Sequence, residues 1–186
     1  MLKSAMDIKF IGNQTFVLKG KKESVLVNPE KELLEKNTSR IVIYSQSKQE
    51  ELRSVGEKVA VMGPGEYEIG GVEINGFSDG HEGTIYTVLV DGVTVCILSK
   101  LQEALSDKKI EKVDGVDVLI TDVANGMQLA KKWGANYVVP SGYTVDSPDY
   151  KKFLDEADCE GLAPVELLKV DKDNLPEGME VVILKS

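Results

Sequence analysis

The sequence predicts an α/β (α+β) fold in which two mixed β-sheets pack face to face and helices cover their outer surfaces. Short β-rich runs separated by turn residues fill the first half of the chain. The continuous apolar run at residues 41–44 is typical of a strand buried on both faces. In the second half, apolar runs at residues 116–120 and 136–140 flank a helical pattern at residues 126–133, which indicates a β-α-β unit. We therefore expect residues 1–186 to form a single αββα sandwich domain.

The N-terminal part has the pattern of a hairpin meander. Three β-rich runs, at residues 8–11, 15–18 and 24–27, are separated by turn residues at positions 12–13 and 20–22. Glycine and asparagine in the first connection and glycine in the second are the residues that tight turns favour. The meander is expected to begin the first sheet.

Two short helices are expected on either side of the strand at residues 41–44. Leucines among charged residues predict an amphipathic helix over residues 30–36, with Asn28 as its cap and Pro29 at its first position. A second, polar helix is expected over residues 48–55.

The middle of the chain is expected to return to antiparallel strands. The candidate strands cover residues 58–62, 72–77, 84–90 and 93–98. The Asp-Gly pair at residues 91–92 is a strong hairpin signal, because both central positions of such a turn require positive φ.

The last third of the chain supplies a helix and two more strands. The helix is expected over residues 148–157, and the strands over residues 165–170 and 180–184. In the preceding β-α-β unit, Trp133 and Tyr137 are expected to pack a helix onto a sheet. Asp117 and Asp122 flank a buried strand and are interpreted as caps of neighbouring elements.

Composition excludes several classes of function. The 22 lysines and arginines stand against 31 aspartates and glutamates, which gives a net charge of −9. An acidic chain repels phosphate backbones and anionic headgroups, so nucleic acid and membrane surfaces are not expected as partners. Two cysteines cannot form a disulfide framework, and the first residues lack the apolar segment of a signal peptide. We therefore expect a cytoplasmic protein.

A single histidine, His81, limits the metal chemistry that the chain can support. A three-histidine zinc site and a two-histidine iron site are both excluded, because each needs more than one imidazole. His81 lies in a polar, glycine-rich segment, where it is a candidate general base oriented by Asp79 or Glu82. The alternative is a solvated loop imidazole.

The collinear order of several segments resembles the metallo-β-lactamase superfamily, in particular its small branch of predicted metal-dependent hydrolases. The most specific segment is the glycine-rich run at residues 63–72. The other segments that carry the resemblance are residues 8–12, 26–29, 41–45, 84–86, 116–120 and 138–140.

The resemblance implies a metal loop directly after the strand at residues 41–44. Active members carry a His-x-His-x-Asp-His motif there, because a divalent ion needs several lone pairs that converge from one loop. In the implied register, Gln46 and Lys48 replace the first two histidines, Glu50 replaces the aspartate and Glu51 replaces the third histidine. A lysine ammonium repels a cation.

The remaining ligands that the resemblance implies are also replaced. The bridging aspartate would fall close to Lys100, and the last histidine would fall at Ser141 or Gly142. Asn13 occupies a position where this branch often carries a histidine. We therefore expect no cofactor and a vacated metal site.

Three functions remain open at this level. The first is a non-catalytic structural or binding protein whose vacated site takes a small anion, held by Lys48 and Lys100, or a protein. The second is a hydrolase that uses Asp79, His81 and the Glu50/Glu51 pair around a divalent metal such as zinc. The third is a homo-oligomeric assembly module in which edge strands such as residues 180–184 pair between copies.

Overall fold

Two mixed β-sheets face each other in a computed structural model of the chain, which describes residues 5–46, 56–98, 101 and 104–186. The strands of the first sheet are β1 (Ala5–Gly12), β2 (Thr15–Lys19), β3 (Ser24–Val27), β4 (Ile41–Tyr44), β5 (Val59–Met62) and β12 (Leu168–Asp171). The strands of the second sheet are β6 (Gly65–Ile69), β7 (Val72–Ser78), β8 (Thr84–Val90), β9 (Val93–Ile97), β10 (Val118–Thr121), β11 (Tyr137–Pro140) and β13 (Glu180–Val181). The helices are α1 (Lys31–Lys36), α2 (Asp107–Ile110), α3 (Gly126–Trp133) and α4 (Pro148–Glu156). The predicted fold class is confirmed.

The first sheet has the strand order β12-β1-β2-β3-β4-β5. Strands β12, β1, β2 and β3 are antiparallel neighbours, whereas β3, β4 and β5 run parallel. The antiparallel character expected for residues 58–62 is therefore wrong, since Val59 pairs with Ile41 in a parallel register. The connection between β4 and β5 is long enough for the crossover that parallel strands require.

The second sheet has the strand order β13-β11-β10-β9-β8-β7-β6. Strands β6 to β9 form an antiparallel meander, and β9, β10, β11 and β13 are parallel. The predicted hairpin between β8 and β9 is confirmed, because Asp91 and Gly92 have φ values of 49° and 83°. The chain passes from one sheet to the other between β5 and β6, through Gly63 and Pro64.

The main core lies between the two sheets. Side chains of β4 alternate as a strand buried on both faces requires: Ile41 and Ile43 join the inter-sheet core, while Val42 and Tyr44 pack on the outer face beneath Leu34 of α1. The prediction that residues 41–44 are buried on both faces is confirmed.

A second apolar layer lies between the second sheet and its helices. Trp133 of α3 belongs to this layer, as predicted, and its Nε1 donates to the carbonyl oxygen of Ile110 at 2.9 Å, which holds α2 in place. Tyr137 does not. Alternation along β11 turns Tyr137 and Val139 towards the inter-sheet core and Val138 towards the helices. The expectation that Tyr137 packs a helix onto a sheet is therefore wrong.

Two element boundaries in the structure differ from the predicted ones. Helix α1 begins at Lys31 with Glu30 as its N-cap, so Asn28 is not the cap. The strand expected at residues 180–184 is regular only over Glu180–Val181. Val165 lies beside residues 183–185. Its N–H donates to the carbonyl oxygen of Ile183, and its carbonyl oxygen accepts from the N–H of Lys185. The polar helix expected at residues 48–55 lies outside the described residues.

The described helices are short, and α4 has nine residues. None of them has both the length and the apolar composition that crossing a bilayer requires.

Candidate functional site

One edge of the sandwich gathers polar residues from both sheets. Asn28 and Ser45 follow β3 and β4 in the first sheet, and Asp122 and Ser141 follow β10 and β11 in the second. The turn at residues 13–14, between β1 and β2, reaches the same edge. In sheets with parallel strands, ligand sites form outside the carboxyl ends of the strands, which makes this edge the candidate site.

The edge contains an outer cleft and a smaller inner cavity, which share Gln14 and Asn28. The cleft has a volume of about 200 Å³ and is lined by Asn13, Gln14, Asn28, Glu30 and Gln46. The inner cavity has a volume of about 40 Å³ and is lined by Gln14, Phe16, Val27, Asn28, Ile97, Leu98, Ile120, Asp122, Ser141 and Gly142. The inner cavity therefore lies where the apolar inter-sheet core ends and polar residues begin.

Asn28 is held in one orientation by Ser45. Its Oδ1 accepts hydrogen bonds from the backbone N–H and from the Oγ of Ser45, at 2.8 and 2.9 Å. Its carbonyl oxygen accepts from the Oγ1 of Thr15 at 2.9 Å. A φ of 47° places Asn28 in the left-handed region, which asparagine tolerates better than most residues. Because a backbone N–H can only donate, Oδ1 must face Ser45 and Nδ2 faces elsewhere.

Asn13 and Glu30 form a second hydrogen-bonded pair at the cleft. The Nδ2 of Asn13 donates to Oε1 of Glu30. Because a carboxylate can only accept, this contact orients the amide and leaves Oδ1 of Asn13 as an acceptor.

Asp122 is a buried carboxylate whose oxygens are occupied by backbone donors. Its Oδ1 accepts from the N–H groups of Ala124 and Asn125 at 2.7 and 3.2 Å, and its Oδ2 accepts from the N–H of Leu101 at 3.3 Å. The side chain is 8% exposed. Asp122 thereby holds the turn that leads into α3, whose N-cap residue is Asn125.

The segment after β11 packs against the turn between β1 and β2. The backbone N–H of Ser141 donates to the carbonyl oxygen of Thr121 at 2.8 Å. Gly142 has a φ of 63°, and a Cβ at this position would lie 2.9 Å from Nε2 of Gln14. The positive φ favours glycine at this position, whereas the end of the exposed Gln14 side chain could move aside for a Cβ.

A stacked tyrosine pair orders the chain beyond Gly142. The rings of Tyr143 and Tyr150 are 4.2 Å apart between centroids and are parallel within 1°. Burial raises the pKa of Tyr143 to about 12. The stack joins the segment after β11 to the first turn of α4.

The segment that contains His81 lies beside Gln46. Gln46 forms an antiparallel bridge with Gly83. Oδ1 of Asp79 accepts from the backbone N–H groups of His81 and Gly83 at 2.7 and 3.1 Å, and Nζ of Lys109 donates to the carbonyl oxygen of Asp79 at 2.7 Å. Oδ1 of Asp79 therefore stabilises the backbone conformation of residues 79–83.

The structure brings together three of the eight predicted site residues. Gln46 lines the cleft, and Ser141 and Gly142 line the inner cavity. His81 lies in the adjacent segment, through the bridge between Gly83 and Gln46. The other four, Lys48, Glu50, Glu51 and Lys100, lie outside the described residues.

Three cleft residues were not predicted as part of the site, namely Gln14, Asn28 and Glu30. For Asn28 a signal was present, because a polar residue directly after a buried strand marks the sheet edge where sites form. Gln14 and Glu30 do not directly follow a buried strand, so this signal is missing for them.

The described donor groups do not fit the metal centre that the fold family implies. Zinc sites use histidine, cysteine and carboxylate donors, and the chain has one histidine. Amides dominate the cleft lining, and the Glu30 carboxylate is bonded to Asn13. Within the part of the chain that the structure describes, no group of three histidine, cysteine, aspartate or glutamate residues is placed to hold a metal ion.

Comparison with known proteins identifies the family. The family model described as the beta-lactamase superfamily domain matches residues 7–156. The chain belongs to the metallo-β-lactamase superfamily. No curated protein matches the sequence.

Solved structures of this superfamily share the fold over nearly the whole chain. A protein of Thermotoga maritima, assigned as a Zn-dependent hydrolase of the superfamily, has a TM-score of 0.75 at 20% identity and covers 96% of this chain and 98% of its own. The metallo-β-lactamase-fold protein YhfI of Bacillus subtilis has a TM-score of 0.63 at 13% identity, covering 98% and 97%. Igni18, a metallo hydrolase of Ignicoccus hospitalis, has a TM-score of 0.62 at 14% identity, covering 90% and 99%. At these identities the likeness shows the fold.

Proposed function

We propose that this chain is a binding protein built on the metallo-β-lactamase fold, and that it does not carry out metal-dependent hydrolysis. The observation that carries the proposal is the chemistry of the candidate site. Its described polar side chains are mainly amides, and the buried Asp122 carboxylate beside them is bonded to backbone N–H groups.

Metal-dependent hydrolysis needs an ion that lowers the pKa of a bound water, and such an ion needs several free lone pairs that converge on it. Oδ1 of Asn28 already accepts two hydrogen bonds from Ser45. The oxygens of Asp122 accept three. These oxygens support the structure of the edge and are poorly suited to ligate a cation.

Hydrolysis is the rival function, because similar structures include proteins described as metallo hydrolases. A fold shared at low identity hosts many activities, so the site decides between the two. The rival would use His81 with Asp79, Glu50 and Glu51, and it requires a metal ion bound in stoichiometric amount.

A metal-loading experiment separates the two functions. The protein, purified without a metal-binding tag, is dialysed in turn against zinc, manganese and iron(II), and bound metal is measured by mass spectrometry alongside thermal melting. A binding protein is expected to retain substoichiometric metal without stabilisation. A specific site at one hundred times its Kd would add about 2.7 kcal/mol to the free energy of unfolding.

His81→Gln is the matched control, since it removes the single imidazole of the chain. Stoichiometric metal that raises the melting temperature in the unmodified chain, and is lost in His81→Gln, would overturn the proposal and favour the hydrolase instead.

The two cysteines support a reducing setting for this binding protein. Cys96 and Cys159 are both free thiols, and Cys96 is fully buried in the layer beneath α3, where burial raises its pKa. Unpaired thiols are typical of cytosolic proteins, which supports a cytoplasmic location as part of this proposal.

A further inference from the structure

We infer that the cleft binds a small, neutral, polyhydroxylated molecule such as a sugar or another polyol. The inference rests on the proposed function, since it names the class of ligand that the binding protein takes. It is carried by the hydrogen bonds that orient two amides, by the charge of the described lining and by the volume of the cleft.

Asn28 supplies an oriented donor. Ser45 occupies Oδ1, so the two N–H bonds of Nδ2 point away from Ser45. Asn28 lines both the cleft and the inner cavity. A ligand oxygen can accept from this group without any rearrangement of the protein, which lowers the entropic cost of binding.

Asn13 and Glu30 supply acceptors on the other side of the cleft. The bond from Nδ2 of Asn13 to Glu30 leaves Oδ1 of Asn13 as an acceptor, and the carboxylate of Glu30 retains further lone pairs. Gln14 and Gln46 add two exposed amides, each with a donor end and an acceptor end. The cleft thus presents donors and acceptors close together.

The charge of the cleft favours a neutral ligand. Glu30 is the one ionisable side chain among the five described lining residues, and it is acidic. No lysine, arginine or histidine belongs to that set, so within the described lining an anion would meet a like charge without a compensating cation. A metal cation would find a single carboxylate among these five residues, whereas metal sites need several converging donors.

The volume of the cleft fits a molecule of monosaccharide size. A cleft of about 200 Å³ has room for several water molecules. A ligand that displaces these waters must reproduce their hydrogen bonds to avoid losing affinity. Hydroxyl groups do so, because each one donates and accepts as water does.

The test follows the side-chain amide signals of the protein by NMR during titration with glycerol, D-ribose, D-glucose and myo-inositol. Inorganic phosphate and sulfate are titrated in parallel. Signals are assigned through the variants Gln14→Ala and Gln46→Ala, which remove exposed amides of the cleft. Gln128→Ala, on the exposed face of α3, is the matched control outside the cleft.

We expect at least one polyol to shift the cleft amide signals saturably, in the millimolar range or below. Each cleft variant should weaken this binding by about tenfold, the equivalent of one good hydrogen bond, and Gln128→Ala should leave it unchanged.

Three outcomes would overturn the inference: no polyol shifts the cleft amides, the cleft variants bind as the unmodified chain does, or phosphate or sulfate shifts the cleft amides while no polyol does. The last outcome leaves the proposed binding function standing with an anionic ligand. Failure of the proposed function itself would appear separately, as stoichiometric metal in the loading experiment.

Discussion

Nζ of Lys172 lies 2.7 Å from each carboxylate oxygen of Asp117 and joins the two sheets at the edge opposite the cleft. Lys172 follows β12 of the first sheet, and Asp117 precedes β10 of the second. Oδ2 of Asp117 also accepts from the N–H of Thr94 at 2.8 Å, so the predicted capping role of Asp117 is confirmed. The aspartate is 4% exposed, whereas the lysine side chain is 41% exposed.

Replacing Lys172 with Met should destabilise the protein by about 1–2 kcal/mol, because the buried Asp117 carboxylate loses its counter-ion. The exposure of the lysine keeps the loss below that of a fully buried pair. Urea unfolding measures the change. Lys36→Met breaks the exposed pair with Glu32 and should change the free energy of unfolding by less than about 0.5 kcal/mol. Equal effects of the two variants would contradict a special role for the inter-sheet pair.

Substitutions at Asn28 separate its backbone conformation from its hydrogen bonds. Asn28→Ala should cost about 2–3 kcal/mol, because it removes the two hydrogen bonds that Asn28 accepts from Ser45 and keeps a side chain at positive φ. Asn28→Gly loses the same bonds without the steric strain, so it should be more stable than Asn28→Ala by about 1 kcal/mol. Chemical denaturation of both variants gives the comparison. An alanine variant as stable as the glycine variant would show that the left-handed conformation carries no strain.

Close packing around β7 requires glycine at position 76. A Cβ there would lie 2.8 Å from the ring of Tyr86 and 2.9 Å from the carbonyl oxygen of Gly63. Gly76→Ala should therefore cost about 1–3 kcal/mol. Gly178→Ala is the control, since a Cβ at Gly178 meets nothing within 4 Å. Thermal melting of both variants checks the prediction, which fails if the two melt alike.

Two buried tyrosines should make the protein sensitive to alkali. Burial raises the pKa of Tyr86 and of Tyr44 from 10.0 to about 12. The unfolded chain therefore loses these protons first as the pH rises. The stability that they contribute is fully present below pH 10, and it is lost as the pH rises through 10 towards about 12. Urea unfolding at several pH values across this range should show a shallower decline of the free energy of unfolding for Tyr86→Phe. A decline equal to that of the unmodified chain would refute the raised pKa of Tyr86.

The same two tyrosines should differ at neutral pH. The hydroxyl of Tyr86 donates to the carbonyl oxygen of Gly63 at 3.1 Å, so Tyr86→Phe should cost about 1 kcal/mol. The hydroxyl of Tyr44 has no hydrogen-bond partner among the described residues, and Tyr44→Phe should be neutral or stabilising by up to about 1 kcal/mol. Calorimetry of the two variants gives the contrast. Loss of stability in Tyr44→Phe would show that its hydroxyl is bonded in solution.

Local patterns in the sequence were sufficient for most of the fold. Helix α3 spans Gly126–Trp133, as the helical spacing predicted, and the turn at Asp91 and Gly92 follows from residue types that accept positive φ. The direction of β5 could not be obtained in this way, because its apolar run looks the same in a parallel and in an antiparallel sheet. Only the path of the preceding connection decides it.

The site could be predicted only in part, because its contacts join residues that are distant in the sequence. Asparagine serves equally well as a helix cap and in the left-handed region, and for Asn28 the choice depends on Ser45, which is distant in the sequence. The cleft and inner cavity combine residues from position 13 to position 142. The resemblance to a known family located Gln46, Ser141 and Gly142 at this edge. The hydrogen bonds that orient Asn13 and Asn28 appear only in three dimensions.

The return of β12 to the side of β1 has a consequence for synthesis on the ribosome. The five other strands of the first sheet are complete once residue 62 has been translated, but the outer edge of β1 has no partner until residues 168–171 emerge. An open strand edge of this kind templates association with other chains. A message truncated before residue 168 should therefore produce an aggregating fragment rather than a smaller folded sheet.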